Sequence, residues 1–169
     1  MNLQELQQIS PETLPSIVLV VAWWGFMRSV RYSGYGIALL SIASTWLHEM
    51  MHLIYGFLLG AKPVSFSLWP RRVGDSWVLG SVGFTNLNIW NSAFVAFAPL
   101  TMVPVGVALF QWWLMPAYLA GSYLEWLGAG YLVACCFFSC LPSTTDVRIG
   151  AASALMYSVL GYALWQAAH

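Results

Sequence analysis

Five long apolar segments, joined by short polar stretches, constrain the fold of this chain more than any other feature of its sequence. Their lengths bracket the roughly 20 residues that a helix needs to cross a lipid bilayer. The segments are residues 14–30, 35–60, 88–113, 117–140 and 147–167. Only 7% of the 169 residues are charged, against about 25% in a typical soluble domain. We therefore expect an all-α polytopic membrane protein, a single domain with about five transmembrane helices.

The connection between the second and third apolar segments has a different pattern. Within residues 61–87, the stretches VSFSLW and SWVLGSVGF alternate apolar with small or polar residues, and PRRVGD lies between them. This arrangement is typical of a strand, a turn and a second strand. We expect a short β-hairpin at the membrane surface. Residues 1–13 form a polar N-terminal segment ahead of the first apolar one.

The distribution of basic residues predicts the orientation in the membrane, because positively charged loops favour the cytosol. Two of the six basic residues, Arg28 and Arg31, would lie on one face, and the other four on the opposite face: Lys62, Arg71, Arg72 and Arg148. We expect a multi-pass protein of a bacterial or archaeal cytoplasmic membrane with the hairpin toward the cytosol. The formal net charge is zero, so no basic field exists for binding nucleic acid.

The second apolar segment contains the sequence His48-Glu49-Met50-Met51-His52. Residues four apart share one face of a helix, about 6 Å apart along its axis, so the two imidazoles can bind one metal ion, and neutral imidazole suits zinc. Glu49 lies beside the ligands, where it can take a proton from an attacking water. An inert polar cluster that bonds a neighbouring helix is the alternative, but ionisable groups at membrane depth favour function.

A catalytic zinc usually has three protein ligands and one open position. Two carboxylates in later apolar segments are candidates for the third ligand. Asp146 follows Pro142 at the hairpin-side end of its segment, near the expected depth of His52, whereas Glu125 lies toward the opposite face. Depth favours Asp146. A helix N-cap role for Asp146 remains open, as does a polar interfacial contact for Glu125.

These features together resemble the site-2 protease family of intramembrane zinc proteases. The resemblance covers about residues 36–150 and implies His48, His52 and Asp146 as zinc ligands, with Glu49 as the catalytic base. The late motif keeps one proline and the aspartate of the family pattern, with Val147 where glycine is expected. The chain is therefore similar to a small, divergent, minimal-core member without a PDZ domain, and the metal site is expected toward the cytosol.

The resemblance implies a zinc metalloendopeptidase that cleaves a single-span membrane protein within or near its transmembrane segment. A partner membrane subunit is also expected for so small a core, beside the lipid bilayer itself. The alternative is a catalytically inactive relative that acts as a membrane adaptor or assembly factor. A membrane zinc protease with a glutamate as third ligand, and a transporter with a metal-stabilised core, are further alternatives that the sequence favours less.

Overall fold

A computed structural model describes residues 11–30, 34–68, 71–73, 76–78 and 80–169. The described part of the chain is mostly helical. The helices are α1 (Leu14–Val30), α2 (Gly34–Leu58), α3 (Ser92–Ala96), α4 (Met102–Leu109), α5 (Met115–Leu119), α6 (Tyr123–Phe138) and α7 (Thr144–Ala168). The strands are β1 (Pro63–Ser67), β2 (Arg71–Val73), β3 (Ser76–Val78) and β4 (Ser81–Phe84). Of the predicted polar N-terminal segment, residues 1–10 lie outside the described part of the chain.

The predicted antiparallel hairpin after the second helix is confirmed. Strand β1 pairs with β4, with Phe66 opposite Val82, and β2 pairs with β3 nearer the turn. Each pair forms a separate two-stranded antiparallel sheet. Asn86 and Asn91 tie the end of the hairpin to the end of α2, because their amide groups donate to the carbonyls of Gly60 and Leu59. The chain entering α3 is therefore held beside the C-terminal end of α2.

Within the described residues, two helical stretches are long and apolar enough to cross a membrane, Ala98–Leu119 and α7. The first stretch is continuous, because a 3₁₀ turn (Ala98–Thr101) leads into α4 and a π turn (Phe110–Leu114) joins α4 to α5. Helices α1 and α6 are apolar but shorter. Association with a membrane is thus supported by two helices, while crossing by five segments remains a prediction.

The boundary between the third and fourth apolar segments lies later than the sequence pattern indicated. Helix continues past residue 113 to Leu119, and α6 begins only at Tyr123. Gly121 causes this stop: its φ of +71° is left-handed, a conformation that glycine adopts without strain at a helix end. The N–H of Ser122 donates to the carbonyl of Ala117 at 3.0 Å, which closes the last turn. Hydrophobicity is uniform across this boundary and could not reveal it.

The chain divides into two compact units. The first contains the described residues up to Ser44 together with residues 102–138. Its core consists of Leu114, Ala129 and Val133, which are almost fully buried. Gly130 allows α1 and α6 to approach closely, because a Cβ there would lie 2.5 Å from the side chain of Leu19.

The second unit contains residues 45–101 and 139–169. Helices α3 and α7 pack through small residues: a Cβ on Gly150 would lie 2.8 Å from the Cβ of Ala96. The fully buried hydroxyl of Ser153 accepts a hydrogen bond from the N–H of Ala93 at 3.1 Å. This close contact fixes the first turns of α7 against α3, and both helices contribute residues to the candidate metal centre.

Candidate metal centre

The centre begins with the two histidines of α2. Because they are four residues apart, His48 and His52 lie on one face of the helix, and their Nε2 atoms are 3.2 Å apart. His52 is buried, with 5% of its surface exposed, and His48 is partly buried. The paired imidazoles that the sequence predicted are thus directed toward one point.

Backbone carbonyls orient both rings. His48 Nδ1 lies 2.7 Å from the carbonyl oxygen of Ser139, and His52 Nδ1 lies 2.8 Å from that of Val95. A carbonyl can only accept, so both Nδ1 atoms carry the proton and donate. In the neutral imidazole, Nε2 then presents a lone pair. Metal-binding histidines in proteins commonly have this arrangement, in which the second ring nitrogen donates to a backbone carbonyl.

Both acceptor carbonyls lie where the α-helical pattern ends. The α-helical partner of the Val95 carbonyl would be the N–H of residue 99, but Pro99 has none. A backbone N–H at the end of α3 also donates to the Val95 carbonyl. Ser139 follows the end of α6 at Phe138.

Asp146 supplies the third donor group. Its Oδ1 lies 3.3 Å from His52 Nε2, and its Oδ2 lies 3.5 Å from His48 Nε2. Asp146 occupies the first turn of α7, where a carboxylate interacts favourably with the helix dipole. One ligand atom from each of the three residues falls within 4.8 Å of the others. This His–His–Asp group could hold a metal ion.

Glu49 faces the same space without belonging to the group. A cavity of about 710 Å³, the metal cavity, is lined by Glu49, the His–His–Asp group and residues of strand β4, among others. The backbone of Gly80, immediately before β4, covers Glu49: a Cβ on Gly80 would lie 2.7 Å from Glu49 Cγ. The carboxylate is thus confined beside the three donors by the hairpin.

The other candidate carboxylate, Glu125, is engaged elsewhere. Its Oε1 accepts a hydrogen bond from Trp113 Nε1 at 2.6 Å, and it does not line the metal cavity. The preference for Asp146 on grounds of depth therefore agrees with the geometry. Asp146 also has the capping role that was its alternative interpretation, because it bonds Ser143 at the start of α7. The two roles coexist in one side chain.

Sequence reasoning missed the groups that support the donors: the carbonyls of Val95 and Ser139, the backbone of Gly80, and Ser143. One signal was present for the first, since Pro99 lies four residues after Val95 and removes its helical donor. Gly80 and Ser139 make contacts across about 30 and 90 residues of chain. Periodicity within one segment carries no information about such contacts.

Comparison of the chain with models of known protein families, with curated proteins and with solved structures gave no match. The resemblance to site-2 proteases accordingly rests on the motif residues alone.

Proposed function

We propose that the protein is an intramembrane zinc metalloprotease, which hydrolyses a peptide bond within or near a transmembrane segment of a single-span membrane protein. One observation carries this proposal. Two imidazole Nε2 atoms and the Asp146 carboxylate converge in a cavity that a further carboxylate, Glu49, also lines. Three protein ligands with an adjacent carboxylate are typical of hydrolytic zinc sites.

The spacing of the donors supports zinc. Ligands about 2.0–2.1 Å from a tetrahedral ion stand about 3.3 Å from each other. The two imidazole Nε2 atoms, 3.2 Å apart, have this separation. Each of them also lies 3.3 or 3.5 Å from a different oxygen of Asp146, and one ligand atom from each residue falls within 4.8 Å of the others. Two nitrogens and one oxygen also suit zinc better than magnesium or calcium, which favour oxygen ligands alone. His48, His52 and Asp146 would therefore hold the ion.

The mechanism assigns a separate role to each side chain. A bound zinc ion supplies Lewis-acid activation of water and of the scissile carbonyl. Glu49 takes a proton from the attacking water and returns it to the leaving amine, so that it acts first as general base and then as general acid. His48 and His52 keep their orientation throughout, because their Nδ1–H groups remain hydrogen-bonded to backbone carbonyls.

Strand β4 provides a means of holding an extended substrate. Within the described residues it has a strand neighbour on one side only, β1, and its residues line the metal cavity. An unwound substrate segment can add to such an edge through main-chain hydrogen bonds.

The surface of α7 supports placement in a lipid bilayer. This helix is 25 residues long, about 37 Å, and only 11% of its apolar window is buried. Its exposed side chains include Leu155, Val159, Leu160, Leu164 and Trp165. An exposed apolar surface of this kind marks a membrane or protein interface. Lipid, and a partner membrane subunit, are the environments that we propose for it, with the hairpin and the metal site toward the cytosol.

Metal content and cleavage, measured together, test the proposal. The full chain, purified in detergent, should contain about one zinc per molecule and should cleave at least one member of a panel of single-span reporter proteins. Glu49→Gln should retain zinc and lose cleavage, because the amide cannot accept the proton from water. We expect a loss of at least about 100-fold, the usual contribution of a general base.

Glu125→Gln is the matched control, since it makes the same change in a carboxylate that hydrogen-bonds Trp113 outside the cavity. It should leave cleavage unchanged. Full activity of Glu49→Gln would refute the assignment of the base. Bound zinc without cleavage of any reporter would instead favour the inactive adaptor or assembly factor.

A further inference from the structure

The turn between α6 and α7 carries a reciprocal pair of hydrogen bonds. Ser143 is the N-cap of α7, with extended backbone dihedral angles (φ −69°, ψ 166°). Its hydroxyl oxygen accepts from the N–H of Asp146 at 3.2 Å, and its own N–H donates to Asp146 Oδ2 at 2.7 Å. Together these bonds form a capping box. Ser143 itself is exposed, yet it lines the metal cavity.

The carboxylate that closes this capping box is also the third donor of the His–His–Asp group. Asp146 Oδ2 receives the N–H of Ser143 and faces His48 Nε2 at 3.5 Å, while Oδ1 faces His52 Nε2 at 3.3 Å. An aspartate at a helix start has several staggered side-chain rotamers available. The hydrogen bond from the backbone N–H of Ser143 to Oδ2 selects the rotamer in which both carboxylate oxygens face the imidazoles.

We propose that Ser143 is a positioning residue for the metal centre. It holds Asp146 in the ligating orientation, so that capping of α7 and metal binding depend on each other. This inference rests on the metal site of the proposed function and adds a residue to it. Without the hydroxyl, the N–H of Asp146 loses its acceptor. The backbone of Asp146 is then held less firmly, so the N–H of residue 143 alone no longer fixes the carboxylate in the ligating orientation.

The expected effect is a change in metal affinity. Loss of a group that orients a metal ligand typically weakens binding 10- to 100-fold. Ser143→Ala should therefore weaken zinc binding by about this factor, and Ser143→Thr, which keeps the hydroxyl, should restore affinity to within about threefold. Ser143→Gly gives the decisive comparison. Glycine is nearly as good an N-cap for helix stability, but it has no hydroxyl, so its affinity should fall as far as that of the alanine variant.

The measurement uses the full chain in detergent micelles, stripped of metal with a chelator. Zinc affinity is determined by competition with a chromophoric chelator, and cobalt is titrated in parallel because its visible spectrum reports the ligand geometry. Ser158→Ala is the control: its hydroxyl donates to the carbonyl of Ala154 on the exposed side of the same helix. Its affinity and its cobalt spectrum should match those of the wild type.

The outcomes separate this inference from the proposed function. If the wild type binds zinc and the alanine variant binds it equally well, the role of Ser143 is refuted while the metal centre stands. Wild-type affinity in Ser143→Gly would show that the hydroxyl serves helix stability alone, and would also refute the inference. If the wild type binds neither metal, the metal centre and the role of Ser143 fail together. A misfolded alanine variant leaves the glycine and threonine variants to decide.

Discussion

Replacing Gly80 with alanine should separate the catalytic base from the metal ligands. A Cβ at this position would lie 2.7 Å from Glu49 Cγ, 3.0 Å from Thr45 Cγ2 and 3.1 Å from Glu49 Oε1. Ordinary contacts begin near 3.4 Å, so Glu49 Cγ must retreat by about 0.7 Å. This atom is two bonds from the backbone of α2, so it can move only if the whole side chain changes its rotamer or the hairpin shifts away.

Displacement of a catalytic group by about 1 Å can cost 100-fold in rate. A shift of 0.7 Å should accordingly lower kcat by about 10- to 100-fold, or about 1.4–2.7 kcal/mol in activation free energy. Overpacking should also lower the free energy of unfolding by about 1–3 kcal/mol. The zinc content should stay at the wild-type level, because the three atoms nearest to the new methyl group belong to Glu49 and Thr45 and not to the His–His–Asp group.

The assay combines cleavage of a single-span reporter, zinc content and thermal unfolding in detergent. Gly128→Ala in α6 is the control, because a Cβ there would meet nothing within 4 Å. It should leave kcat unchanged and add up to about 1 kcal/mol of helix stability. Wild-type turnover by a zinc-loaded Gly80→Ala protein would refute the positioning of Glu49 by the hairpin. Loss of zinc would refute it too, since Gly80 would then act on the ligands.

Three further substitutions, two of them paired with a control variant, test the arrangement around this site. Asp146→Ala should reduce zinc content sharply, and Glu125→Ala should not. The reverse result would show that Glu125, and not Asp146, is the third ligand. Ser153→Ala leaves a buried N–H of α3 without its acceptor, so chemical unfolding should show a loss of about 1–3 kcal/mol, and an unchanged stability would contradict the α3–α7 contact. In Pro99→Ala, the new N–H of residue 99 can compete with His52 for the Val95 carbonyl, so zinc affinity should fall about tenfold. Pro104→Ala, in the same helical run, should have no such effect.

Much of the architecture could be predicted because its signals are local. Helix α1 occupies the same residues as the first apolar segment, and the alternating pattern of residues 61–87 corresponds to antiparallel strands. The four-residue spacing of His48 and His52 places both imidazoles on one face of a helix, so their pairing could be predicted without tertiary information. Asp146 required an argument about depth across several segments, and the membrane crossings on which that argument depends remain a prediction.

What could not be predicted depends on contacts between distant parts of the chain. The hairpin covers Glu49 through the backbone of Gly80, which has no side chain to signal the contact. The helix end at Gly121 is determined by the left-handed backbone conformation of this glycine, and it lies within uniformly apolar sequence. The dual role of Asp146 has a chemical reason: a carboxylate has enough acceptor positions for capping and for metal binding at once, so the sequence pattern of one role does not reveal the other.

Two backbone carbonyls orient the paired histidines in their apolar surroundings. A buried N–H without an acceptor is unfavourable by several kcal/mol, and the Nδ1–H groups of His52 and His48 donate to the carbonyls of Val95 and Ser139. Doing so turns both Nε2 lone pairs toward each other at 3.2 Å, an arrangement that is repulsive unless a cation or a proton lies between them. The Asp146 carboxylate adds negative charge at the same point, which favours a divalent cation there, and this is the physical argument for a metal centre within an apolar helix.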